Sequence, residues 1–260
     1  MTQVVSLSNV SVEYRRATTK SRSMKQATVE ILKGKRKYQT FRALDGVSFE
    51  INSGEILAII GRNGSGKSSL LKAVAGLLQP SSGDVYTASQ ATLLGVSGAL
   101  NKSISGNRNI TLGGLAMGMS REEVEAIRQQ VIDFADIEEF IDMPMGTYSS
   151  GMQARLRFSI AAARQHEILL VDETLSTGDT EFRARSQAKI RELSGAAGTV
   201  FVVAHGHAMI REVCNRAIWM DKGVIKMDGE TNAVLDAYEA DVAEKKAAKE
   251  AKDNEKNTDK

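Results

Sequence analysis

The stretch ILAIIGRNGSGKSS, residues 56–69, joins an unbroken apolar run to a glycine-rich loop that ends in Lys67-Ser68-Ser69. Ile56 to Ile60 show no apolar–polar alternation, the pattern of a strand covered on both faces of a parallel sheet. From Gly61 onward the residues match the spacing G-x-x-x-x-G-K-[ST]. Gly61, Gly64 and Gly66, with Arg62, Asn63 and Ser65 between them, let successive backbone N–H groups converge on phosphate oxygens where a β-carbon would obstruct them. Leu70, Leu71, Val74, Leu77 and Leu78 then recur at helical spacing, so the loop opens a helix whose positive end faces the same anion. Lys67 is placed to reach β- and γ-phosphates and the Ser68 hydroxyl to ligate Mg²⁺, with Ser69 closing the motif. A glycine-rich turn without function would not explain the full spacing and both flanks.

A second apolar run, Ile168 to Val171, ends in two acids, Asp172 and Glu173. Beside a phosphate loop, Asp172 suits Mg²⁺ held through water, and Glu173 suits the water that attacks a γ-phosphate. Strand patterns at 4–14, 43–52, 168–171 and 199–204 interleave with helical periods around 67–78, 120–135, 152–165 and 180–193. That alternation predicts an α/β fold, a P-loop nucleotide-hydrolase core with a mainly parallel sheet. Residues 99 to 165 offer no convincing strand and predict a helical subdomain.

Composition narrows the class. The 260 residues are 42% apolar and 25% charged with a formal charge of +2, so no global field points to nucleic acid. The single cysteine, Cys214, rules out an intramolecular disulfide, and no eighteen-residue apolar run or signal-peptide pattern is found. The chain reads as cytosolic. Residues 15–42 hold ten Lys or Arg against one acid, Glu30. Met24, Ala27, Thr28, Ile31 and Leu32 recur there at helical spacing, which fits either a basic amphipathic helix or a solvated basic loop. Residues 241–260 carry six bases and six acids and predict a frayed helix or a disordered tail after a domain spanning 1–240.

With these motifs in order, the chain resembles the ATP-binding-cassette ATPases over roughly residues 4–235. Tyr148-Ser149-Ser150-Gly151-Met152 stands where that family carries its signature before a helix, with the Ser and Gly retained at Ser149 and Gly151. The resemblance implies an N-terminal antiparallel β subdomain, ATP and Mg²⁺ as cofactors, and a homodimer. In it Ser149, Ser150 and Gly151 face the nucleotide of the other subunit. It further implies Asp179 at the subunit seam, His205 as the γ-phosphate sensor (with His207 as a substitute), Glu173 and Lys67 as catalytic groups, and Tyr14 stacked on adenine. Tyr38 and Phe41 are alternatives for that stacking role, and Trp219 reads as core.

Within the family the closest branch is the ATP-binding subunits of exporters for bacterial surface polysaccharides, O-antigen, teichoic acid and galactan. The Tyr-Ser-Ser-Gly-Met signature, the segment Leu170-Val-Asp-Glu-Thr-Leu-Ser-Thr-Gly-Asp179 and the basic insertion carry that likeness. It implies a separate transmembrane permease, a lipid-linked glycan as cargo and a position on the cytoplasmic face of the membrane. The sequence departs where the family normally has a Gln, offering Gly95-Val-Ser-Gly98 instead. The alternatives are a soluble cassette of DNA repair or translation, a transport ATPase for another substrate, and a nucleotide-binding scaffold without turnover.

Overall fold

The computed structural model describes residues 2–17, 38–94, 100–164, 167–171, 180–195, 199–203 and 207–258. Asp172, Glu173, Asp179, His205, Gly95–Gly98 and residues 18–37 of the basic insertion lie outside the described residues. In chain order the elements begin with β1 (Gln3–Ala17), β2 (Tyr38–Asn52), β3 (Ile56–Ile60), α1 (Lys67–Val74), β4 (Ser82–Thr87) and β5 (Thr92–Leu94). There follow α2 (Gly106–Ala116), α3 (Arg121–Ala135), α4 (Ser150–Ala162), β6 (Ile168–Val171) and α5 (Thr180–Gly195). The last are β7 (Thr199–Val202), α6 (His207–Val213), β8 (Arg216–Asp221), β9 (Val224–Glu230) and α7 (Thr231–Thr258).

Two sheets form. The larger runs β5-β6-β7-β3-β8-β9, parallel except for β9, which pairs antiparallel with β8 at one edge. The smaller is antiparallel, β2-β1-β4. Their packing explains the apolar runs. Leu57 and Ile59 of β3 enter the core shared with β1 and β2, whereas Ala58 and Ile60 enter a second core against the helices. Strand β6 divides the same way, Ile168 and Leu170 to one side, Leu169 and Val171 to the other. Neither face meets water, so neither needs polar residues. Each such Leu or Ile contributes about 1.5–3 kcal/mol by leaving water.

Strand β1 needs a correction to its alternation. Its inward residues are Val5, Leu7, Val10 and Val12, so the parity changes after Leu7. A register shift between Leu7 and Val10 absorbs the extra residue, with Asn9 at φ 51 and its N–H donating to Ser48 Oγ at 2.7 Å. The bulge turns Val10 and Val12 back into the core.

Helices α2, α3 and α4 pack around a third core built on Ile110, Val124, Val131, Met145, Leu156 and Ile160. Ser120 caps α3, accepting from Glu123 N–H at 3.1 Å while Glu123 accepts from Ser120 N–H at 2.6 Å. This helical layer meets the parallel sheet through three rings. Phe134 of α3, Phe158 of α4 and Phe182 of α5 stand with centroids 5.7, 5.7 and 5.9 Å apart, and the Arg185 guanidinium lies 5.8 and 5.9 Å from two of them.

Helix α7, Thr231–Thr258, crosses the boundary expected at residue 240 without a break. Lys245–Asp241 and Lys246–Glu250 pairs at (i, i+4) support it. Among the described residues no helix is long and apolar enough to cross a membrane.

Candidate nucleotide-binding site

The loop Gly61–Gly66 lies at the carboxyl end of β3, where open parallel sheets place their ligands. At two positions it packs too closely for a side chain. A β-carbon on Gly61, at φ 145, would sit 2.2 Å from the Met220 carbonyl oxygen, and one on Gly66 would sit 2.5 Å from that of Ala43. Lys67 opens α1 and is 8% exposed, its ammonium donating to the Gly61 carbonyl at 2.8 Å and the Arg62 carbonyl at 3.2 Å. The positive charge is thus held over the loop. Gly66 caps α1 without any side-chain hydrogen bond, so the first-turn N–H groups keep their donors for an anion. Ser65 is buried, and its Oγ has no hydrogen-bond partner. The uncapped first turn of α1, a buried ammonium and an orphaned hydroxyl are a donor set for phosphate.

Around this cradle the expected residues are placed as follows. Arg62, Asn63, Gly64 and Ser68 are exposed, with Ser68 on the first turn of α1. Tyr14 of β1 is 42% exposed, with its hydroxyl 3.3 Å from Ser69 Oγ. Phe41 is its direct partner across β1–β2 and is 59% exposed, so two of the three candidate stacking rings are neighbours. Trp219 is core, 5% exposed, with the Lys226 ammonium 4.0 Å from its ring centroid. His207 starts α6, and its Nδ1 is engaged with Glu239 of α7 at 2.7 Å.

The second anion site of the sequence analysis is the start of α4. Ser149 caps that helix, accepting from Met152 N–H at 3.1 Å, and its own O–H remains a donor. Ser149 and Ser150 are exposed and Gly151 is half-buried, whereas Tyr148 belongs to the core and donates to the Phe140 carbonyl at 2.7 Å. Burial pushes the Tyr148 hydroxyl above its ordinary pKa.

Two supports escaped the sequence reading. The loop is walled by the Met220 carbonyl and braced by Gly223 of the β8–β9 turn, whose N–H donates to the Ser65 carbonyl at 2.9 Å. Both act through the backbone. The one signal available was the dipeptide Lys222-Gly223 between two strands.

Fold and cradle together define a P-loop nucleotide-binding cassette. The ABC transporter family model matches residues 44–176. The teichoic acids export ATP-binding protein TagH of Staphylococcus epidermidis is 36% identical over 240 residues, covering 92% of this chain and 89% of the relative. The protein of the same name from Bacillus cereus is 42% identical over 198 residues, 76% of this chain but 36% of the relative. The chain therefore spans about a third of the length of that Bacillus relative. Among solved structures, the ATP-binding subunit of an ABC transporter superposes with a TM-score of 0.70 at 16% identity, covering 90% of this chain and 93% of that one. A dimeric ATP-binding cassette in a post-hydrolysis state with ADP and Pi gives 0.68 at 22% identity, covering 87% and 98%. The chain belongs to the ABC transporter family. ATP binding comes with that membership.

Proposed function

We propose that this chain is the ATP-hydrolysing subunit of an exporter that moves a lipid-linked surface polysaccharide across a membrane, working on its cytoplasmic face with a separate membrane-spanning permease. The observation that carries the ATPase reading is the Lys67 ammonium, held 2.8 Å from the Gly61 carbonyl in a cradle that a β-carbon would fill. The export reading rests on the two relatives named for teichoic acid export. The domain is taken as 1–240, with 15–42 as a basic insertion and 99–165 as the helical subdomain.

In this reading the loop N–H groups and Lys67 bind and orient the phosphates. Glu173 positions the attacking water and receives its proton, and His205 senses the γ-phosphate. Ser68 and Asp172 would hold Mg²⁺, which supplies neutralisation of phosphate charge. Tyr14 stacks on the adenine. Ser149, Ser150 and Gly151 serve the nucleotide of a second copy, with Asp179 at the seam.

The test is Glu173→Gln. The variant should bind ATP and turn over at least about a hundredfold more slowly, the lower end of what a positioned acid–base group supplies. Near-normal turnover removes Glu173 from the mechanism.

A further inference from the structure

We propose that Gly223, in the turn between β8 and β9, is a positioning residue that fixes the phosphate loop in its nucleotide-binding shape; this rests on the reading of Gly61–Ser69 as the ATP cradle. Asp221 pairs with Val224, which leaves Lys222 and Gly223 as a two-residue turn, with φ of 50 and 86. Both positive values give the twist that joins adjacent antiparallel strands. The turn spends its backbone elsewhere. The Gly223 N–H donates to the Ser65 carbonyl at 2.9 Å, in the middle of the phosphate loop. The Gly223 carbonyl accepts from Asp45 N–H on β2, also at 2.9 Å. One residue thus ties the loop to two strands from different sheets.

The fit allows nothing larger. A β-carbon at Gly223 would lie 2.9 Å from the Ala43 carbonyl oxygen and 3.4 Å from Leu44 Cα. The same Ala43 oxygen would be 2.5 Å from a β-carbon on Gly66, so loop and turn press on one carbonyl from two sides. The brace is itself anchored. Lys245 of α7 stands 3.8 Å from Asp221 and 2.7 Å from Asp241, and Asp241 accepts from Lys226 of β9 at 2.5 Å. A loop whose N–H groups must converge on one anion tolerates little displacement, since a misplacement of about 1 Å can cost about a hundredfold. A side chain at 223 pushes Ser65 out of line without touching the nucleotide.

The experiment compares Gly223→Ala with Gly118→Ala in the full chain. Gly118 has a similar φ of 80, but its β-carbon would meet only the Arg164 side chain, at 3.6 Å. Both variants carry the same backbone strain. Gly223→Ala should raise the KM for ATP at least tenfold, with a smaller change in kcat, and Gly118→Ala should leave KM within twofold. Equal KM for the two variants, or a KM within twofold of wild type for a folded Gly223→Ala, overturns the proposal. Should Gly223→Ala not fold, hydrogen exchange on the wild-type chain decides. ATP should slow exchange in peptides covering 221–225 as well as 61–69. Protection at 61–69 with none at 221–225 overturns the bracing role. No protection at 61–69 overturns the nucleotide reading, and the proposal with it.

Discussion

The Tyr14 hydroxyl lies 3.3 Å from Ser69 Oγ, joining the end of the first strand to the helix that the phosphate loop opens. The bond is exposed and long, so it contributes little. It holds an exposed aromatic ring beside the helix that the phosphate loop opens. Tyr14→Phe should therefore leave ATP affinity within twofold. If Tyr14 stacks on adenine as proposed, Tyr14→Ala removes a contact worth about 1–3 kcal/mol for a base on an aromatic ring, and should weaken ATP binding at least fivefold by titration calorimetry. Equal losses for Phe and Ala would move the contribution from the ring to the hydroxyl.

The exposed start of α4 predicts complementation between chains. If Ser149 and Gly151 serve a partner's nucleotide, a Lys67→Ala chain and a Ser149→Arg chain mixed together form one doubly damaged site and one site built wholly of wild-type parts. Each variant should be inactive, and the mixture should recover part of the ATPase activity. No recovery from mixtures that demonstrably dimerise would place the site within one chain. Losing the Ser149 cap costs about 1 kcal/mol, so both variants need matching melting curves first.

Tyr148 and Gly106 are coupled by space. A β-carbon on Gly106 would lie 2.3 Å from the Tyr148 hydroxyl, which also donates to the Phe140 carbonyl at 2.7 Å. Gly106→Ala should destabilise by about 2–3 kcal/mol through overpacking. Tyr148→Phe should cost about 1 kcal/mol for its lost hydrogen bond. In the double variant the alanine meets a ring without its oxygen, and urea melts should show the two costs falling short of their sum by about 1 kcal/mol. Strict additivity would remove the clash as the cause.

Cys214 predicts an alkaline slope. Burial pushes its thiol up to about 12, against about 8.5 in an unfolded chain. Below pH 8.5 the thiol is neutral in both states and its stabilising preference for the folded chain is intact. Above it the unfolded state loses a proton that the folded state keeps, so stability is lost as pH rises towards 12. Cys214→Ala should fall behind wild type at neutral pH and gain on it above pH 9, by up to about 1.4 kcal/mol per pH unit in chemical melts. A gap that is constant from pH 8 to 10 would contradict the burial.

Legibility tracked the physical origin of each element. Strands β3 and β6 were plain in the sequence because both faces are covered and every residue is apolar. Strand β4, Ser82–Thr87, is largely exposed and shows no such run. Helix α2 was hidden by its glycines. Gly113 would place a β-carbon 2.9 Å from Ile160, and Gly114 one 2.5 Å from Val124. Close packing selected residues that are poor helix formers, and local propensity therefore pointed away from the observed helix. The phosphate loop was readable because its chemistry is contiguous. Its brace was not, because Gly223 reaches Ser65 across 158 positions through peptide groups that every residue possesses.

The meeting of Phe134, Phe158 and Phe182 has a mechanical meaning. Ring edges and faces meet there without a hydrogen bond between them, so at this trio the join between the helical layer and the sheet rests on packing. Helix α4, which carries Ser149 at one end, seats Phe158 in it, and α5 seats Phe182 three residues beyond Asp179. Trimming Phe158 or Phe182 to alanine would open a cavity at that join and cost about 3–5 kcal/mol.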